Sequence, residues 1–213
     1  MKILRSIILV VLVAAAVAGG TASPAKAGPS CPNASERVFQ RWLDPLPYFL
    51  ATNGGFESGA TGWTLTGGAK VVSGNEPFFL NSSSDRFSLS LPAGATATSP
   101  WTCASVDGLV ARLVAVGSGS LLGTLQVDVL YKTANGQLKV AGLTPILRTL
   151  HGSWAPTLPI LVLPGTLLTN IAGLSLGTVE LAFRFRASSG LLSSSSWRID
   201  DVYVDPWAEK LAG

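Results

Sequence analysis

Residues 178–187 read Thr-Val-Glu-Leu-Ala-Phe-Arg-Phe-Arg-Ala. Val179, Leu181, Phe183 and Phe185 fall on one side of an extended chain; Glu180, Ala182, Arg184 and Arg186 fall on the other. Strict alternation of this kind suits a strand with one buried face and does not suit a helix. The same period recurs upstream. Leu125, Val127, Val129 and Tyr131 share a face, with Gln126, Asp128, Leu130 and Lys132 opposite. Asn135-Gly136 then marks a tight hairpin turn, because both central residues of a type I′ turn need positive φ, and 137–143 returns as its second strand. Phe87, Leu89 and Leu91 alternate with Ser88 and Ser90, and Ala69 to Val72 is a further short strand. Ala95 to Cys103 is Thr-rich and extended, and Leu109 to Val116 is a continuous apolar run that reads as a buried strand. Pro156, Pro159 and Pro164 interrupt the segment from Gly152 to Leu163, which suits an edge position. In the last segment, Trp197 and Ile199 are in one phase, and Val202 and Val204 in the other. That phase change predicts a bulge carrying Asp200 and Asp201. Many short strands separated by turn residues argue for an all-β sandwich or barrel, a single domain over 53–207.

Two segments precede that body. Lys2 and Arg5 open a basic start, Ile7 to Ala18 is apolar, and Ala25-Lys26-Ala27 fits a cleavage site before Gly28. The apolar run is well short of the roughly 20 residues a spanning helix needs. Residues 1–27 are therefore expected to be a secretory signal, and the protein to be secreted and not membrane-embedded. Residues 28–52 form an arm in which Pro29, Pro32, Pro45 and Pro47 forbid a long helix. Ser35 to Leu43 is predicted to form one short helix capped by Ser35, with Phe39, Trp42, Tyr48 and Phe49 packing on the domain edge.

Export alters the charge balance. The chain has 15 basic and 12 acidic residues, and the leader holds three basic ones and no acid. The exported part is close to neutral, so it has no basic field for nucleic acid. Its two cysteines, Cys31 and Cys103, are expected to pair in an oxidising compartment. The bond would close a loop of about 70 residues and add about 4 kcal/mol in the chain-entropy model.

Little supports catalysis. His151 is the only histidine, and no G-x-S-x-G elbow is present. A glycosidase needs two carboxylates about 5–10 Å apart, yet no strand carries acids on alternate positions of one face. The protein is expected not to be an enzyme. A calcium ion suits the oxygen donors better. Gly54-Gly55 can turn carbonyls inward, Glu57 offers a carboxylate, and Asp200 or Asp201 offers another if the first and last strands are neighbours. The same acids can equally cap turns or pair with Arg198.

Asn53-Gly54-Gly55-Phe56-Glu57-Ser58-Gly59, then Trp63, Gly152-Ser153-Trp154 and the closing Ile199-Asp200-Asp201-Val202 resemble the family 4/9 carbohydrate-binding modules. More broadly they resemble the galactose-binding-like β-jelly-roll superfamily. The resemblance implies a two-sheet jelly-roll sandwich with a structural calcium held by the Gly55 carbonyl and the Glu57 and Asp200 side chains. It also implies that Trp63 and Trp154 are core residues. Sugar binding in such modules uses a concave sheet face or edge loops. Here the polar strand faces offer Gln126, Asp128, Lys132, Glu180, Arg184 and Arg186, with no aromatic among them. Gln126, Asp128, Lys132, Arg184 and Arg186 are the expected ligand-binding residues. The expected function is non-catalytic binding of a polysaccharide or cell-envelope glycan. The alternative is an extracellular structural or adhesive protein that uses the fold for protein contacts.

Overall fold

The computed structural model describes residues 35–105, 110–119, 123–132, 138–146, 152–161, 178–188 and 195–205. The leader, Cys31, the Asn135-Gly136 turn, His151 and the residues after Asp205 lie outside them. The strands run in chain order as β1 Phe49–Leu50, β2 Thr64–Thr66, β3 Lys70–Ser73, β4 Phe87–Pro92, β5 Thr96–Thr98, β6 Thr102–Ser105 and β7 Val110–Gly119. They continue as β8 Leu125–Lys132, β9 Leu138–Ile146, β10 Ala155–Pro156, β11 Ile160–Leu161, β12 Thr178–Ala187 and β13 Ser195–Val204.

Two antiparallel sheets result. One has the order β10-β7-β13-β4-β3, with β1 on β13 and β11 on β7; the other has β2-β5-β12-β8-β9, with β6 on β12. The chain keeps crossing between them. β3 and β4 lie in the first sheet, β5 and β6 in the second, β7 in the first, β8 and β9 in the second, and β12 and β13 in second and first. This wrapping makes the protein an all-β jelly-roll sandwich. The predicted inward faces meet between the sheets: Val127, Val129, Leu181, Phe183 and Phe185 pack on Leu89, Leu91, Leu113, Trp197 and Ile199. β10 and β11 are two-residue strands at the open side of β7, as their prolines require.

The stretch Asn53–Trp63 forms a closed loop instead of a strand. The Asn53 side chain donates from Nδ2 to the Gly59 and Thr61 carbonyls at 2.9 and 3.0 Å and accepts from Ser58 N–H at 3.3 Å. Trp63 donates its indole N–H back to the Asn53 carbonyl at 3.0 Å, and its ring meets buried Phe56 at 4.8 Å. Trp63 is core, as the resemblance implies. Trp154 is only partly buried, and Arg198 lies 5.5 Å from its ring centre.

The arm takes a different place from the one expected. Its only helical piece among the described residues is a 3₁₀ turn over Gln40–Trp42, ended by Leu43 at φ 61°. Phe39 and Tyr48 pack on Val114 and Tyr203, across the outer face of the seven-stranded sheet and not at its edge. The reason lies in β7. Its continuous apolar run buries Leu113 between the sheets and leaves Val114 on the far side, where it too needs cover. A polar clasp holds the cover down. Asp44 accepts from Tyr48 hydroxyl at 2.8 Å, Arg112 Nη1 at 2.6 Å and Leu46 N–H at 3.1 Å. Arg112 donates from Nε to the Thr157 carbonyl at 2.9 Å and lies 4.4 Å from the Phe39 ring centre. Burial raises the Asp44 pKa, but the hydrogen bonds from Tyr48, Arg112 and Leu46 outweigh it and leave the carboxyl below its ordinary value.

Removing one partner of a buried ion pair strands the other charge. Asp44→Ala is expected to lower stability by about 3 kcal/mol, measured by chemical denaturation. Because the folded pKa of Asp44 is depressed, the wild-type advantage should be present above the ordinary carboxylate range and shrink as pH falls through the folded value. An unchanged midpoint at neutral pH would remove the clasp from the account of the arm.

Candidate functional site

Two places on the sandwich concentrate polar chemistry. The first is where β13 breaks. Its pairing with β7 shifts between Asp200 and Tyr203, and Asp201 takes φ 49°. On a regular strand, Asp200 and Asp201 would face opposite ways. Here both are fully buried. The phase change in the sequence predicts this bulge and the residues it carries.

Around the bulge lie two further acids from the loop between β3 and β4. Glu76 is fully buried and Asp85 nearly so. Glu76 accepts from Phe78 N–H through Oε2 and from Leu80 N–H at 2.7 Å through Oε1, which closes its own loop. Asp200 accepts from Glu76 N–H at 3.2 Å and from Asp201 N–H at 2.9 Å. Asp85 accepts from Asn81 Nδ2 at 2.8 Å. Asp201 differs from all of these: both of its carboxylate oxygens are buried and neither makes a close, well-aligned hydrogen bond, the Asn81 backbone N–H and the Glu76 carboxyl being its nearest polar neighbours. Among the described residues, no lysine or arginine forms an ion pair with any of the four acids.

Glycine permits the approach. A Cβ on Gly55 would lie 3.1 Å from Asp201 Oδ1, 3.7 Å from Asn81 Nδ2 and 3.9 Å from Asp85 Oδ2, so these groups meet at one point beside the Gly55 backbone. A Cβ on Gly54 would stand 2.7 Å from the Val202 carbonyl, which the Ala51 N–H approaches to 2.8 Å. The electrostatic consequence is strong. Burial and the charge of Asp201 push Asp200 up to about 9. Burial and the charges of Glu76 and Asp85 push Asp201 up to about 8. A small cleft of about 130 Å³, lined by Glu36, Tyr48, Asn81 and Tyr203 among others, opens beside the group through Asn81 and Tyr203.

The structure places the three residues that the resemblance implies for calcium in different surroundings. Gly55 stands at the convergence. Glu57 does not: it is exposed, and its Oε1 accepts from Arg86 and Phe87 N–H at 2.8 and 2.9 Å, fastening the loop to the start of β4. Asp200 lies behind, with both oxygens engaged. Among the described residues, no three His, Cys, Asp or Glu side chains are grouped so as to hold a metal ion; Glu76 and Asp200 spend their oxygens on backbone N–H groups. Asp201 Oδ1 and Asp85 Oδ2 come nearest to the Gly55 backbone, with the Asn81 amine between them donating to Asp85. Glu76 and Asp85 were not signalled by the sequence, because they sit in an aperiodic loop. Arg198 pairs with neither aspartate; it donates to Ser88 Oγ and to the Ser73 and Gly74 carbonyls.

The second place is the outward face of the six-stranded sheet. Register aligns Thr64, Thr98, Arg184 and Asp128 in one row and Thr66, Thr96, Arg186 and Gln126 in the next. Asp128 is fully buried although it points away from the core. Arg184 covers it, donating from Nε at 2.8 Å and from Nη2 at 2.7 Å. Arg186 Nη2 lies 3.1 Å from Oδ1 and 3.0 Å from Oδ2. The two arginine side chains remain 31% and 42% exposed. The next outward positions, Leu130 and Ala182, are buried, so the open surface begins at the Asp128 row. Of the five expected binding residues, four thus share one surface: Gln126, Asp128, Arg184 and Arg186. Lys132 ends β8, and its side chain lies outside the described ones. Neither row holds an aromatic side chain.

No family model matches the sequence, and no curated protein matches it. Solved structures with a similar course of chain include carbohydrate-binding modules. One is a module of family 61 in complex with β-1,4-galactotriose, 15% identical, covering 73% of this chain and 96% of that one, with a TM-score of 0.43. Another is a family 16 module, 14% identical, with coverages of 73% and 99% and a TM-score of 0.44. A third is a module of family 28 specific for non-crystalline cellulose, 13% identical, with coverages of 74% and 94% and a TM-score of 0.46. None of these three is a family 4 or family 9 module.

Asp201→Asn tests the electrostatics of the bulge. Asparagine tolerates positive φ and removes a buried carboxyl that must take up a proton to stay in place, since its pKa is raised to about 8. In the presence of a chelator the variant is expected to be more stable than wild type by about 2 kcal/mol. A loss of stability under those conditions would show that the carboxylate is satisfied in a way the geometry does not contain.

Proposed function

We propose that this chain is an exported, non-catalytic β-sandwich module that binds carbohydrate across the two outward rows of the six-stranded sheet. The carrying observation is the burial of Asp128 beneath Arg184 and Arg186. A carboxylate on an outward face is ordinarily solvated. Here it is spent on holding two guanidinium groups in place, flanked by threonine hydroxyls and the Gln126 amide. Sugar hydroxyls need donors and acceptors at fixed positions, and side chains ordered before binding lose less entropy on binding. In this reading the binding residues are Gln126, Arg184 and Arg186, with Asp128 positioning the arginines; Lys132 lies beyond buried Leu130 at the end of β8.

A structural calcium at Asp201, with Asp85, Asn81 and Gly55, belongs to the same proposal, as does a Cys31–Cys103 bond. Cys103 lies on β6, and Cys31 lies outside the described residues. The ion would offset the charge of the buried carboxylates and fix the turn that joins the first and last strands. The alternative of an adhesive protein has its own observation: Leu138 and Val140 on β9, the last strand of its sheet, are 56% and 49% exposed. That edge is suited to protein contacts.

The deciding experiment is retention of the purified protein on a panel of soluble and insoluble polysaccharides. Binding to one class is expected, weakened roughly tenfold by Arg184→Gln, the scale of a lost charge-assisted hydrogen bond. Retention on none, with a stable protein partner recovered instead, would favour the adhesive alternative. Separately, calcium is expected to raise the melting temperature of wild type by ligand linkage and to leave Asp201→Asn unmoved. An equal response of the two proteins would remove the ion from that site.

A further inference from the structure

We infer that the ligand of the outward sheet face is an acidic glycan, one whose sugar units carry a carboxylate; this rests on the binding surface proposed above. The charge count on the open rows is the first ground. Arg184 and Arg186 share one carboxylate, Asp128, and no other acid stands on either row. One positive charge is left over on a surface that belongs to a nearly neutral exported chain. Glu180, the nearest acid along β12, lies beyond the buried positions Ala182 and Leu130.

The second ground is the disposition of the donors. A guanidinium carries five N–H groups. Arg184 commits Nε and Nη2 to Asp128, and Arg186 commits Nη2. Neither Nη1 amine has a partner among the described residues, and Arg186 Nε is buried without one. The side chains are anchored at their inner edge and partly exposed at the other. That is how an arginine presents its outer amine to a second carboxylate. The third ground is what the rows lack. A neutral sugar ring is held by stacking on an aromatic face, and these rows have none. What they do have is threonine hydroxyls and an amide for sugar hydroxyls, with cationic donors for an anion. Charge-assisted pairing of guanidinium with carboxylate is both stronger and more directional than neutral hydrogen bonding.

The test uses the whole protein and short oligogalacturonates, compared with the same oligomers after methyl esterification. Titration calorimetry at low and raised salt reads the affinity. The free acids are expected to bind, the esters to bind about tenfold more weakly or not at all, and added salt to weaken only the acids. Arg186→Gln leaves Arg184 on Asp128; it should stay folded at the titration temperature, checked by its melting curve, and lose about tenfold in affinity for the acids. Equal binding of acids and esters overturns the inference. So does an affinity for the acids unchanged by Arg186→Gln. Binding of a sulfated glycan but of no uronate assigns the surface to sulfate and overturns the carboxylate. Retention on neutral polysaccharides alone also overturns this inference but leaves the binding surface standing. Binding of nothing at all overturns both.

Discussion

The break in β13 is the constraint on which the sandwich depends. This strand is central to its sheet, with β7 on one side and β4 on the other as far as Ile199. Beyond the bulge it needs a new partner. β1 supplies it, pairing Phe49 with Val204 and Leu50 with Tyr203. In the interval, Val202 exchanges backbone hydrogen bonds with Ala51 and Gly54 at 2.8 and 3.1 Å. Only a residue without a Cβ fits against the Val202 carbonyl at Gly54. The first and last segments of the body are thus tied at one point, and the arm that leads into β1 is held over the outer face of the sheet by Asp44 and Arg112.

The same bulge creates a charge problem. With Asp201 in the left-handed region, two successive carboxylates are buried beside Glu76 and Asp85. Glu76 and Asp200 are answered by backbone N–H groups, which suit a carboxylate well. Asp201 is answered only weakly, by the Asn81 backbone N–H. Isolated buried charge is among the most expensive features a fold can hold, so a counter-ion or a proton is a structural requirement at this position. The bulge is retained because the alternative, a regular strand, would send one of the aspartates to the other side of the sheet and detach the Asn53–Trp63 loop from β13.

Strand pattern made much of this legible. The alternation in β8 and β12 placed Asp128, Arg184 and Arg186 on a common face, and the odd-to-even shift after Ile199 located the irregularity at Asp200 and Asp201. Period carries such information because a strand's side chains have only two directions. It carries none about loops. Glu76 and Asp85 reach the bulge because Glu76 bonds Phe78 and Leu80 N–H and winds its own loop inward, and no spacing announces that. Glu57 illustrates the converse. Its place in the Gly-Phe-Glu stretch suggests a ligand, yet two N–H groups at the start of β4 occupy it. The arm was misjudged for a related reason. A buried run such as β7 shows that both faces are covered, but not which segment covers the second.

Asp128 and Asp201 are the same residue type, equally buried, one in each sheet. Their environments make them opposites. Asp128 lies under two guanidinium groups that reach it from the neighbouring strand β12, because cross-strand register and period two bring Arg184 and Arg186 to its row and the next. Its charge is consumed in ordering a surface, and the surplus charge of that surface faces outward. Asp201 lies where register has failed, so no neighbouring strand can bring a cation to it by pairing. The donors that do arrive come from a loop and from a glycine backbone, and they are oxygens or already engaged. A regular sheet can therefore neutralise its own buried acid and hold two arginines in order on its outer face. A bulge cannot, and whatever neutralises it has to come from outside the chain.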